Sequence, residues 1–376
     1  MKIAIIRKKY VFHGGAEGFS RELISQLAGQ GHKVHIFALQ WDGANVPADV
    51  TFHKVPAISF NSFFRDLSFA LSSYWLLGKD SFDIIQSHDK TLFQHIYRAG
   101  DGCHIEWLRQ RWMRTGFLGK VSIALNPYHG LILSLERMIL KGHRFKKVIA
   151  ISHLVKNNII THYGVPEKDI EVIYNGVDLR RFHPANRELY RREIRTRYSL
   201  PDDSFVLLFV GSGFERKGLE FLIKAMELVP HPLTALIVGK GAATKYKKSI
   251  KRQNVIFCGP QQEVQKYYAA ADIFVFPAIY EPFGNVHLEA LASGLPVITT
   301  QLSGAAEMIQ EGVHGFVAPV PEDCALIAEK IQYLMDNQRA YESMRINARQ
   351  RAEEFSLERH LNETLRLYQD ITDEAD

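Results

Sequence analysis

Residues 280–289 read YEPFGNVHLE and place two carboxylates, Glu281 and Glu289, eight positions apart. The apolar run IFVFPAI precedes them, and NVHLEALASG behind them has the pattern of a helix starting near Asn285. A helix start offers unpaired backbone N–H groups and a partial positive charge, which together receive anions. Gly284 permits close backbone approach there. Glu289, about a turn into the helix, is suited to accept two hydrogen bonds from vicinal hydroxyls such as those of a ribose. Glu281, on the loop, would reach a second hydroxylated group. The plainer alternative makes Glu281 a solvated loop residue and sets Glu289 against the helix dipole.

A second group is FVGSGFERKG at 209–218, where an apolar strand runs into a Gly-Ser-Gly turn followed by Arg216 and Lys217. Glycines bare the backbone, arginine presents a planar fork, and lysine adds a point charge, so the set suits a diphosphate. It is no Walker A loop, since G-x-x-x-x-G-K-[ST] is absent, and no complete G-x-G-x-x-G is present. The alternative is a basic surface cap. Gly14 and Gly15, after the first strand, form a tight turn of the kind that approaches a ligand or simply closes a loop. Asp101 in GDGCH, 100–104, sits between glycines as turn aspartates commonly do. The 16 histidines show no metal-binding spacing, and single ones such as His88, His95 and His153 read as structural.

The elements that would carry these residues alternate. In the first half, KIAII, KVHIFAL, VTFHKV, FDIIQS and KKVIAIS are short apolar strands interleaved with amphipathic helices, the pattern of a parallel sheet covered on both faces. The polar, charged stretch 175–201 is the candidate boundary. The pattern then restarts with SFVLLFVGSG, LTALIVG, NVIFCG, DIFVFPA and LPVITT. The expected organisation is an α/β chain of two Rossmann-like doubly wound domains, 1–180 and 181–355, facing each other across a cleft. A terminal helix, 356–376, is expected to pack back on the first domain. Loops after strand carboxyl ends are where such sheets bind ligands, and the motifs fall there.

Composition narrows the class. The chain has 376 residues, 46% of them apolar, which fits two globular domains. No apolar run approaches the length of a membrane span, and MKIAIIRKKY lacks the features of a secretory signal. Three distant cysteines form neither a disulfide framework nor a metal set and fit a reducing compartment. Residues 1–170 hold 22 Lys+Arg against 13 Asp+Glu, while the remainder holds 24 against 28. The first half therefore faces something anionic. Its densest part, 105–147, carries nine basic and two acidic residues among Trp107, Trp112, Phe117 and Phe145. Basic residues with interleaved aromatics suit an anionic membrane surface, or merely cover the domain. No motif supports nucleic-acid binding.

In order along the chain, the Gly-Gly loop, NGVDLRRF, the Arg-Lys doublet, the paired glutamates of EPFGNVHLE, and LASGLPVITT resemble the retaining glycosyltransferases of family four, of GT-B architecture. KKYVFHGGAEG, RAGDGCH and HPANRELYRREI resemble the lipopolysaccharide-core branch that glucosylates heptose. The resemblance implies transfer of a hexose, glucose first, from a nucleotide diphosphate sugar such as UDP-glucose to a glycolipid acceptor, with no metal and no further cofactor. It makes Arg216 and Lys217 the diphosphate ligands and Glu289 the ribose ligand. Glu281 with Phe283, Gly284, Asn285 and Val286 would hold the transferred sugar. Gly14 and Gly15 would approach donor phosphate and acceptor, and Asp101 would stand near the reaction centre. The catalytic set it implies is Asp101, Glu281, Arg216 and Lys217, in a cytoplasmic enzyme peripheral on the inner membrane face. The alternatives are another GT-B enzyme such as a nucleotide-sugar epimerase or a phosphorylase, a two-domain nicotinamide-dependent dehydrogenase, and a non-catalytic sugar-binding protein.

Overall fold

The computed structural model describes residues 1–10, 24–41, 50–78 and 81–374. The chain forms two compact units, the first of Met1–Asn175 with Leu357–Asp376 and the second of Gly176–Ser356.

In unit 1 the strands are β1 (Lys2–Ile6), β2 (Lys9–Tyr10), β3 (Lys33–Ala38), β4 (Gln40–Trp41), β5 (Val50–Lys54), β6 (Ile84–Ser87), β7 (Ile96–Ala99), β8 (Lys147–Ala150) and β9 (Ile170–Val172). Seven of them make one parallel sheet in the order β5-β3-β1-β6-β7-β8-β9, with β2 and β4 paired separately. Ile3, Ile5, Ile84, Ile96 and Ile149 are buried on one side of it. Each contributes about 1.5–3 kcal/mol on leaving water. Sequence analysis assigns no strand to 96–99, because Tyr97 and Arg98 interrupt an apolar run. Arg98 is nevertheless buried, its guanidinium donating to Asn175 Oδ1.

The helix Leu357–Asp373 packs into unit 1. Leu361, Leu367, Tyr368 and Ile371 join the core beside Ile3 and Ile5. The Tyr368 hydroxyl donates to Gln86 Oε1 at 3.0 Å. The basic aromatic segment 105–147 folds into helices His104–Arg114, Phe117–Leu125 and Pro127–Leu140.

Unit 2 contains β10 (Val206–Val210), β11 (Thr234–Val238), β12 (Asn254–Gly259), β13 (Ile273–Phe276), β14 (Val297–Thr300) and β15 (Gly315–Ala318), ordered β12-β11-β10-β13-β14-β15. β10, β13 and β14 are buried along their whole length, as parallel strands covered on both faces must be. The stretch 175–201 is not an open connection. Within it, Asn186–Arg197 is a helix of unit 2. Arg187, Arg191 and Arg195 recur every four residues on one helix face and converge on Asp272. Arg187 and Arg191 reach Oδ1, and Arg195 reaches Oδ2, each at 2.9 Å.

In both sheets the chain runs outward from one central strand, then returns to its other side. The strand order reverses between β1 and β6 in unit 1 and between β10 and β13 in unit 2. That reversal opens a crevice at the strands' carboxyl ends, where open α/β sheets bind ligands.

Candidate active site

The crevice of unit 2 is flanked by the loop after β10 and the loop after β13. Each carries one of the charged motifs. At the first loop, Gly211 leaves room for the Lys217 side chain; a Cβ there would lie 2.4 Å from Lys217 Cδ. Gly218 has φ +76°, and a Cβ would fall 1.7 Å from Pro277 O, so only glycine lets the two loops meet. Ile279 N–H donates to Arg216 O at 2.9 Å, joining the loops through the backbone.

Lys217 and Arg216 then converge on Glu281. Lys217 Nζ donates to Glu281 Oε2 at 2.9 Å, and Arg216 Nη2 lies 3.5 Å from the same oxygen. Lys217 also sits 5.1 Å from the centre of the Phe276 ring. Glu281 is buried, which pushes its pKa up, but Lys217 and Arg216 outweigh burial and hold it at about 2. Its backbone is fixed on both sides, N–H to Leu302 O and O from Gly304 N–H, each at 2.9 Å. Neither the solvated-loop reading of Glu281 nor the surface-cap reading of Arg216-Lys217 fits this arrangement.

Gly284, φ +84°, turns the loop into the helix Asn285–Ala292. Phe283 O accepts from Ala305 N–H at 3.0 Å and from Ser303 Oγ at 3.2 Å, anchoring the loop ahead of Asn285 and Val286. Glu289 lies inside this helix with its carboxyl buried. The Tyr268 hydroxyl donates to its Oε2 at 2.8 Å. Burial raises the Glu289 pKa, against the pull of Tyr268, Arg181 and Lys217. Glu289 thus stands within electrostatic reach of the Lys217 cation but is not paired to it.

Two residues that sequence analysis passed over position this set. Tyr268 orients Glu289; in KYYAAA it reads as an ordinary core aromatic. His287 is fully buried and its pKa falls to about 4 through burial, so the ring is neutral. Its Nδ1 lies 2.9 Å from Gly284 O and its Nε2 2.8 Å from Thr299 Oγ1. The Thr299 hydroxyl in turn donates to Phe276 O at 3.0 Å, so the ring is held between the Gly284 carbonyl and an oxygen anchored on β13. His287 therefore ties the Gly284 turn to β14.

Asp101 belongs to unit 1. It is exposed, in the turn between β7 and the helix His104–Arg114, next to Gly102 at φ +66°. Buried Glu136 holds that turn, accepting from His104 N–H at 2.7 Å and Tyr163 Oη at 2.5 Å, with Lys90 Nζ at 3.4 Å. Gly14 and Gly15 lie outside the described residues. Among the described residues there is no group of three or more His, Cys, Asp or Glu that could hold a metal ion. Nor, among them, is any helix long and apolar enough to cross a membrane.

Two Rossmann-like units, one with a cationic pair and two buried glutamates at its switch crevice, define the GT-B class. The Glycosyltransferase Family 4 model matches residues 13–181 and the Glycosyl transferases group 1 model residues 190–351, and the chain belongs to this family of glycosyltransferases. It is 26% identical over 333 residues to the lipopolysaccharide glucosyltransferase WaaG of Escherichia coli K12, covering 85% of this chain and 86% of that protein. It is 25% identical over 393 residues to the N-acetyl-alpha-D-glucosaminyl L-malate synthase of Bacillus anthracis, covering 99% and 98%. The crystal structure of WaaG, a glycosyltransferase involved in lipopolysaccharide biosynthesis, superposes with a TM-score of 0.80 at 25% identity over 96% of this chain and 98% of that one. The dehydrogenase alternative is not favoured.

Proposed function

We propose that the protein moves a hexose from a nucleotide diphosphate sugar, UDP-glucose first, to a sugar hydroxyl of a glycolipid, with heptose of a lipopolysaccharide core as the acceptor. The observation that carries this reading is the convergence of Arg216, Lys217 and Glu281 at the crevice, with Glu289 beside them. Negative charge grows on the departing phosphate during transfer, and the two cations are placed to meet it. When a diphosphate arrives, it competes with Glu281 for the cations, and the freed carboxylate is left to accept hydroxyls of the sugar. Glu289 takes the ribose hydroxyls, with Tyr268 holding its other oxygen. The configuration at the anomeric carbon is retained through a same-face displacement, in which the leaving phosphate oxygen accepts the acceptor's proton. Asp101 orients the acceptor. Two cations do the work a metal would do elsewhere, so the reaction proceeds without one.

The acceptor's membrane explains the helix Phe117–Leu125. Phe117, Leu118 and Leu125 are 78%, 82% and 77% exposed, next to Arg111, Arg114 and Lys120. Apolar side chains rimmed by cations suit an anionic bilayer surface, at about 1 kcal/mol per basic residue near it. The protein then works as a peripheral enzyme on the cytoplasmic face.

A panel of nucleotide-sugars, scored by thermal stabilisation and by transfer in the presence of a chelator, tests the donor and the metal independence. Stabilisation by UDP-glucose and unchanged chelated activity are expected. Response to NAD(H) alone would reverse the reading. Co-sedimentation with vesicles with and without anionic lipid, for the parent and for Phe117→Ser with Leu118→Ser, tests the surface.

A further inference from the structure

The switch crevice of unit 1 carries a buried polar group that the transfer reading does not use. His88 follows β6 directly, Arg7 follows β1, and these are the two strands between which the sheet order reverses. Arg98 stands in the adjacent β7. His88 is 8% exposed. The Tyr368 hydroxyl donates to Gln86 Oε1 at 3.0 Å, so the Gln86 amide nitrogen, 2.7 Å from His88 Nε2, must donate to the ring. The His88 proton therefore lies on Nδ1, and among the described residues that N–H has no hydrogen-bond partner. Arg98, Arg7 and His360 act on this ring together, and burial with these neighbours keeps it neutral. Asp89, the adjacent acid, is engaged by Lys8, through its backbone N–H at 2.7 Å and its Nζ at 3.1 Å.

A buried donor beside two guanidinium groups, at the mouth of a ligand crevice, asks for an acceptor that carries negative charge. We propose that His88, Arg7 and Arg98 form a subsite for an oxyanion, a phosphate ester or a carboxylate of the sugar acceptor. The subsite itself rests on unit 1 alone. Only the assignment of the anion to the acceptor rests on the transfer reading. His88 supplies a neutral N–H that fixes orientation, and the guanidinium groups supply the charge. The site would discriminate an acceptor bearing such a group from one that is neutral there.

The test uses the full chain, labelled with 15N-histidine and saturated with UDP so that Arg216 and Lys217 are occupied. Inorganic phosphate and acetate are titrated separately at constant ionic strength against chloride. The expected result is a His88 ring protonated on Nδ1 whose resonances move and saturate with phosphate or acetate and not with chloride. Which of the two saturates first tells a phosphate ester from a carboxylate. His88→Leu is expected to weaken that anion about ten-fold or more by calorimetry, with UDP affinity unchanged. His88→Asn, which keeps a donor near the Nδ1 position, restores part of it. A proton on Nε2, a ring indifferent to both anions, or an equal response to chloride overturns the subsite. Failure of the parent protein to bind UDP would instead count against the transfer reading and leave the anion result standing.

Discussion

Lys217 is confined by a Phe276 ring, the bare backbone of Gly211 and the Glu281 carboxylate, so its charge is aimed before any ligand arrives. Lys217→Ala is expected to lower kcat/KM by about 10²–10³-fold, read in a donor-transfer assay; near-normal transfer would remove the cation from the mechanism. Glu289 makes an opposite kind of statement. Its folded-state pKa is raised by burial, so its favourable contribution is complete below the ordinary carboxylate range and is lost as pH rises through the raised value. Wherever it is ionised, the buried group therefore weighs against the fold. Glu289→Gln, which can still accept from Tyr268, is expected to raise Tm at pH 7 while weakening nucleotide-sugar binding. A lowered Tm would contradict the burial argument. Charged residues in loops after apolar strands were legible from the sequence because no core needs them there. Tyr268 and His287 were not, because a tyrosine or histidine on an apolar helix face has the same pattern whether it fills space or holds a neighbour.

At the scale of elements, the polar stretch around Asn186–Arg197 shows how composition misleads. Its arginines look like a solvated face, yet Arg195 is buried and the fan closes on Asp272. Val206 N–H also donates to Asp272 Oδ2 at 2.8 Å, so the same carboxylate pins the start of β10. The distance from position 195 to position 272 hides this from any local pattern. Asp272→Ala leaves the buried Arg195 guanidinium, with half-buried Arg187 and Arg191 beside it, without a counter-charge and is expected to cost about 3–5 kcal/mol in urea melts; a loss below about 1 kcal/mol would make the fan incidental. The two crevice loops supply a second test. Gly213 and Gly218 have nearly equal backbone angles, φ +77° and +76°, but a Cβ at 213 meets open space and one at 218 meets Pro277 O. Gly213→Ala carries only the left-handed backbone cost of about 1–2 kcal/mol. Gly218→Ala adds the collision, and its larger drop in Tm, with weakened UDP binding, measures the contact between the loops.

Across the whole molecule, the repeated strand–helix alternation made two Rossmann-like units legible, since each apolar run is short and separately flanked. It did not reveal the buried histidines. His88 is lowered well below its usual range, and His104 and His360 fall to about 3, all three by burial first. These lie in unit 1; His287, at about 4, lies in unit 2. Each takes a proton in the unfolded chain near pH 6.5 but not in the fold, so their stabilisation is complete above that pH and declines as pH falls below it. Unit 1 should weaken more. Trp41, Trp75, Trp107 and Trp112 are the only tryptophans and all belong to unit 1. Between pH 7 and pH 5 the denaturant midpoint seen by tryptophan fluorescence is expected to fall further than that seen by far-ultraviolet circular dichroism. Equal shifts would show that the histidines do not set the acid response.

The return of Leu357–Asp373 to unit 1 has a bearing on how the protein is made. Unit 2 is one uninterrupted stretch, whereas the core of unit 1 is unfinished until Leu361, Tyr368 and Ile371 arrive. On a ribosome the later-synthesised unit can therefore close first, and the earlier one must wait with Ile3 and Ile5 partly uncovered. Val177 N–H, which donates to Phe355 O at 2.9 Å, fastens the outgoing chain to the incoming one at that moment. Nascent chains stalled before residue 357 would then carry a protease-resistant second half behind a sensitive first half.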